Sequence, residues 1–285
     1  MTEQFRSRTM SVKVPPVSHS FRAIDVSLGG DRMTMQVGGS GLPLVLFHSL
    51  LADRTSFDRV AGPLAATHQV IVLNLPGFEG SDFVDGGLDA VADRVAAALV
   101  ALQLRAQPIL LGNGYGGFVA LQMALRYPGL ADRLVLADCG AAFSDAGRAA
   151  FRAMSATAAQ GGLAAVADVA MRRLFAADYQ ALHPELIAQR KERFLALDPR
   201  TFHSACHALA TLDFRPQLVS LRLPVLVLVG EMDEATPPPM SHELAAALAN
   251  ARLVVLSGCA HVPQLQAPDE FLAAIGGFLG IDSSG

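Results

Sequence analysis

Leu110-Leu111-Gly112-Asn113-Gly114-Tyr115-Gly116-Gly117-Phe118 joins an apolar run to a helix-like segment. The pattern predicts a buried strand over Ile109–Leu111 and a helix over Tyr115–Tyr127. The glycines between them allow a sharp strand-to-helix turn with close backbone approach. Two chemistries use such a turn. One is a phosphate-binding loop, since Gly112, Gly114 and Gly117 match G-x-G-x-x-G. That match falls on a late strand. Its acidic ribose partner is also missing, because Asp132 precedes a strand rather than ending one. The other is a nucleophile elbow, G-x-S-x-G, whose middle residue projects a side chain over the helix N-terminus. Here the middle residue is Gly114, which has no side chain.

The rest of the chain supplies the context. Phe21–Ser27 and Arg32–Val37 alternate polar and apolar residues, as half-buried hairpin strands do. Leu44–Phe47, Val70–Leu73, Leu134–Leu136 and Val225–Val229 are continuously apolar, like Ile109–Leu111, and Leu253–Leu256 closes the series. Such runs predict a parallel sheet covered on both faces. Helices are expected at Leu88–Leu104, with one apolar face from Val91, Val95, Leu99 and Leu102, and at Pro268–Leu279. The class is therefore α/β. Residues 143–212 hold no strand pattern. Ala149–Met154, Leu163–Leu174, Pro184–Leu197 and Phe202–Leu209 read as helices of a cap inserted into a core of residues 21–142 and 213–280. Residues 1–20 read as a polar tail.

Composition narrows the partners. The 285 residues are 52% hydrophobic and 17% charged, enough to bury a full core and too apolar for disorder. A net charge of -4 argues against a nucleic-acid backbone. No run reaches the length needed to span a membrane, and the N-terminal residues lack the apolar stretch of a secretory leader. Cys139, Cys206 and Cys259 are scattered, as free thiols in a reducing cytoplasm would be. Neither a metal site nor a cofactor is expected. A small molecule is the expected partner, and a homodimer stays open.

The two late loops carry the chemistry. Gly230-Glu231-Met232-Asp233 follows the strongest strand, and Gly258-Cys259-Ala260-His261 follows the next. The chain order elbow, Asp, His is that of a catalytic triad in which the acid orients the imidazole.

With these stretches the sequence resembles the α/β-hydrolase superfamily, and within it the 3-oxoadipate enol-lactonase branch. The resemblance runs from about residue 21 through His48-Ser49-Leu50, Asn74-Leu75-Pro76-Gly77-Phe78-Glu79-Gly80-Ser81, His183-Pro184-Glu185-Leu186 and Ala210–Arg215 to Gly258–His261. It implies an eight-stranded, mostly parallel sheet with helices on both faces and a helical lid. It implies hydrolysis of a small carboxylic ester or lactone. Asp233 and His261 would be acid and base, with Gly114 at the nucleophile position. Backbone N–H groups of Tyr115 and of Ser49 or Leu50 would form the oxyanion hole. Family members often carry Asp where this chain has Asn74, and Gly where it has Ser49 or Glu79.

Gly114 cannot attack a carbonyl. Three accounts follow. The protein is a serine hydrolase impaired by replacement of its serine. Or it is a serine-independent hydrolase, lyase or decarboxylase, in which the His261–Asp233 pair moves a proton on water or substrate. Or it is a silent ligand-binding relative. Ser49 and Ser81 are the nearest substitute hydroxyls by motif, while Cys139 and Cys259 read as small buried residues. Arg54, Arg172 and Arg173 are candidates to meet a substrate carboxylate. Met154, Leu163, Leu174, Phe175, Phe194 and Phe202 would form an apolar wall or pack the lid. His203 and His207 share a helix face.

Overall fold

The computed structural model describes residues 20–281. The tail expected at 1–20 therefore lies outside the described residues, apart from Ser20. Eight strands form one sheet: β1 (Arg22–Leu28), β2 (Asp31–Gly38), β3 (Leu42–Phe47), β4 (His68–Leu73), β5 (Ile109–Asn113), β6 (Arg133–Ala137), β7 (Val225–Gly230) and β8 (Ala251–Leu256). Their order is β1-β2-β4-β3-β5-β6-β7-β8. β2 pairs antiparallel with β1 and β4, and the remaining neighbours are parallel.

The helices are α1 (Asp58–Ala65), α2 (Gly87–Ala101), α3 (Tyr115–Arg126), α4 (Asp145–Gly161), α5 (Ala167–Leu174), α6 (Ala177–Leu182), α7 (Pro184–Leu195), α8 (Pro199–Thr211), α9 (Pro238–Ala247), α10 (Pro263–Gln266) and α11 (Pro268–Leu279). α1, α6, α9 and α10 carry no clear helical pattern in the sequence. α1 contains Gly62 and Pro63, and α9 starts on consecutive prolines, so propensity hides both. None of the described helices is long and apolar enough to cross a membrane.

Strand periodicity explains the continuous apolar runs. Val45, Phe47, Leu110, Leu134, Leu136, Val225 and Val227 join one core, with α2, α3 and the cap helices. Leu44, Leu46, Ile109, Leu111, Val135, Leu226 and Leu228 join the other, with α1 and α11. Alternate residues of each central strand thus meet a covered face, which is why no polar alternation survives in the sequence.

Between β6 and β7 the described chain is helical from α4 to α8. Arg148 on α4 ties this segment together by donating to the carbonyls of Phe143, Ala210 and Leu212. The segment is also bolted to the loop after β3. Arg190 of α7 is only 4% exposed and donates to Thr55 Oγ1 at 2.9 Å, with its guanidinium 3.6 Å from Asp53.

Candidate active site

All three parallel-strand loops named above converge at the carboxyl edge of the sheet. Gly114 ends the turn after β5 with φ 54° and ψ −120°, a strained region for residues with a side chain. The turn is tight because Gly116 lies against the Phe47 carbonyl, where a Cβ would collide. The loop after β3 is thereby drawn onto the elbow.

The loop after β7 carries Asp233, and the loop after β8 carries His261. His261 Nδ1 lies 2.9 Å from Asp233 Oδ2, and both residues are buried. Asp233 also accepts from the Ala235 and Thr236 N–H groups and from Thr236 Oγ1 at 2.6 Å. Burial works against its charge, but His261 and these donors hold its carboxyl below the usual range. His261 Nε2, on the other side of the ring, is 3.3 Å from the Ser49 hydroxyl. A Cβ built on Gly114 would lie 2.6 Å from both that nitrogen and Ser49 Oγ. Imidazole and hydroxyl thus fill the space that a side chain at 114 would need.

Two backbone N–H groups expected as oxyanion donors lie beside this pair. The Tyr115 N–H is the first of α3, and the Leu50 N–H follows Ser49. Neither donates to another group among the described residues. Both border a narrow cavity of ≈ 30 Å³, lined in part by Gly114, His261, Phe143, Phe151, Leu209 and Arg173. The occupied space above Gly114 also argues against a pyrophosphate in the G-x-G-x-x-G loop.

Several site residues carried no clear role in the sequence. Asn113 donates to the His261 carbonyl at 2.8 Å and to Asp138 Oδ2 at 3.0 Å, and accepts from Gln264. Asp138, after β6, is fully buried with φ 52°. Burial, then the neighbouring Asp233 charge, pushes its carboxyl well above the usual range. It accepts the Gly230 N–H at 2.9 Å. Ligand atoms of Asp138, Asp233 and His261 lie within 4.8 Å of one another, but they are already engaged in these hydrogen bonds. His48 ties down the loop after β3. Leu75 N–H donates to its Nε2, so the proton sits on Nδ1 and goes to the Ser49 carbonyl at 3.0 Å. Burial pulls the His48 pKa down to about 4 and keeps the ring neutral.

Other candidates fall elsewhere. Ser81 donates to the Asn74 carbonyl, and Asn74 and Glu79 stand in the loop hydrogen bonds around Thr34, outside the cavity lining. Burial pushes the Cys139 thiol far up and the Cys259 thiol to about 11, which disfavours thiolate at either. Of the three arginines, only Arg173 lines the cavity; Arg54 pairs with Glu79, and Arg172 borders an outer groove. Of the six residues read as an apolar wall or as lid packing, all join the hydrophobic core and Phe194 also borders a neighbouring cavity beside Leu50, while Phe143, Phe151 and Leu209 face the cavity at Gly114. His203 bonds Ser155 Oγ, while His207 faces an outer groove.

A buried Asp233–His261 pair at the carboxyl edge of a doubly covered eight-stranded sheet, beside the strand-turn-helix stretch at Gly114, defines the class. The chain belongs to the alpha/beta hydrolase family, whose model matches residues 44–274. It is 33% identical to a pimeloyl-[acyl-carrier protein] methyl ester esterase of Neisseria meningitidis, over 80% of this chain and 90% of that protein. It is 27% identical to 3-oxoadipate enol-lactonase 2 of Acinetobacter baylyi, over 66% and 69%. It also matches polyketide synthase ThaQ of Burkholderia thailandensis at 30% identity, spanning only 12% of that much longer chain. Among solved structures, a thermophilic esterase from Thermogutta terrifontis superposes with a TM-score of 0.81 at 27% identity, covering 91% of this chain and 98% of that one.

Proposed function

We propose that the protein hydrolyses a small carboxylic ester or lactone, in the manner of an enol-lactonase. The observation that carries this is the aligned relay. Asp233 holds His261 through Nδ1, and Nε2 faces a cavity bordered by the unpaired N–H groups of Leu50 and Tyr115. In such an arrangement His261 takes a proton from the attacking hydroxyl and returns it to the leaving oxygen. The N–H pair holds the charge that develops on the carbonyl oxygen. Arg173 supports a substrate bearing a carboxylate, since it lines the cavity with its guanidinium over the Phe151 ring. The esterase and lactonase relatives support the same reaction class.

The test is turnover of short activated esters and of enol-lactones by the protein, compared with His261→Ala. Histidine-dependent release of acid and alcohol supports the reading. Equal rates in both forms overturn it.

The missing side chain at 114 favours one second reading. With the same donors and base, His261 would abstract a substrate proton and the N–H pair would hold an enolate, giving lyase or decarboxylase chemistry. Product analysis separates the two, because hydrolysis consumes one water per turnover.

A further inference from the structure

Ser49 stands where its neighbour on the elbow has left room. Its hydroxyl is 3.3 Å from His261 Nε2 and 2.6 Å from the position of a Cβ on Gly114. The residue is buried, and its carbonyl is held by His48 Nδ1 at 3.0 Å and by the Ala52 N–H at 3.3 Å. Among the described residues no other nucleophile is so placed. Thr236 Oγ1 lies on the Nδ1 side of the ring and donates to Asp233, Ser81 donates to Asn74, and the nearby thiols are held protonated. The Tyr115 phenol is pushed up by burial and stays protonated too.

We infer that Ser49 is the nucleophile of this site, acting from the first loop through His261 and Asp233 in place of an elbow serine. The inference rests on the hydrolase reading above. Ser49 Oγ bonds to the acyl carbon while its proton passes to His261 Nε2. The carbonyl π pair moves onto oxygen beside the Leu50 and Tyr115 N–H groups. Collapse breaks the acyl–oxygen bond of the ester, and the leaving alkoxide takes the proton from His261. Water then attacks the Ser49 ester, giving its proton to His261. The carboxylic acid departs as Oγ takes that proton back.

The experiment treats the full chain with a fluorophosphonate probe and, separately, follows hydrolysis of p-nitrophenyl acetate. Intact-mass and peptide analysis are run on the protein and on Ser49→Ala, Ser49→Cys and His261→Ala, each checked for an unchanged melting curve. The expected result is one phosphonyl adduct on the peptide containing Ser49. Turnover falls at least tenfold in Ser49→Ala, and an acyl thioester accumulates in Ser49→Cys. If Ser49→Ala keeps full turnover while His261→Ala loses it, water is the nucleophile; the inference fails and the hydrolase reading stands. If the protein and His261→Ala turn over equally, both fail. The cysteine form keeps the question decidable should alanine unfold the loop.

Discussion

Ser49 Oγ and His261 Nε2 face each other at 3.3 Å across the space above Gly114. The contact is possible only because residue 114 has no side chain. Its consequences can be read by putting the side chain back.

Gly114→Ser places a Cβ 2.6 Å from both Ser49 Oγ and His261 Nε2, at a backbone φ of 54°. The ring and the Ser49 side chain must withdraw, and the positive φ costs about 1–3 kcal/mol. Thermal denaturation should therefore show a lower melting temperature than the parent. Turnover of a small activated ester should rise all the same, by up to about 10³-fold, as an elbow hydroxyl regains the base. In this background Ser49→Ala should have little effect. Esterase rates of the single and double variants check both points; no rise at any pH would mean the elbow no longer supports serine chemistry.

Asp233→Asn tests the relay from the other side. An amide at 233 still fits the Ala235 and Thr236 N–H donors, but it loses the charge that stabilises a protonated His261. We expect a folded protein whose turnover falls by about 10³–10⁴-fold or to background, with KM little changed. Steady-state kinetics on the same ester check this.

The fold was largely legible in the sequence because every central strand is apolar on both faces, and the strand-glycine-helix stretch at Leu110–Phe118 orders them. Asp233 and His261 were legible because each follows a strand directly. Asp138 and Asn113 were not. Their roles come from hydrogen bonds across the strand ends to Gly230 and His261, distant partners that leave no local pattern. As a hydroxyl, Ser49 was visible only as one of two nearby serines, and its backbone as one of two oxyanion candidates. The choice between the two hydroxyls needed the position of His261 Nε2, which lies 212 residues further along the chain. The faces of the cap helices were obscured for a similar reason. Their apolar residues serve mostly to pack one helix on another, and periodicity does not mark which few reach the cavity.

Arg173 is the cation of the cavity, with its guanidinium 5.6 Å from the centre of the Phe151 ring. Burial lowers its pKa from an ordinary 12.5, yet leaves it charged at neutral pH. Arg173→Gln should raise KM for a carboxylated ester or lactone by about 10–100-fold, the worth of a hydrogen bond to a charged group. A neutral ester of the same size should be nearly unaffected. Parallel KM measurements on the two substrates check it, and equal shifts would remove the carboxylate from the argument.

Arg190 links α7 to the first loop through Thr55 and Asp53, and Asp53 is itself only part-exposed. Arg190→Ala leaves that carboxylate without its buried partner, although Arg193 remains at 3.4 Å. A loss of about 2–3 kcal/mol is expected, less than for a fully broken buried pair because of this second cation. Urea unfolding measures it. The folded-state pKa of Asp53 is depressed, so its contribution is present above the ordinary carboxylate value of 3.8 and fades as pH falls through the lower folded value. The gap between parent and variant should accordingly narrow in acid.

Asp138 gives the opposite pH signature. Burial, then the Asp233 charge, raises its folded pKa well above 3.8. The folded state then keeps a proton that the unfolded chain releases, so stability falls as pH climbs from the ordinary carboxylate value towards the folded one. Asp138→Asn cannot titrate. Its amide can still accept the Gly230 N–H, but it meets the Asn113 amide where Oδ2 accepted a hydrogen bond, a cost of about 1–3 kcal/mol at every pH. The variant should therefore start less stable than the parent in mild acid, and the difference should shrink steadily towards neutrality. Melting temperatures of both forms across that range decide it. A difference that stays constant with pH would show that Asp138 is ionised in the folded protein.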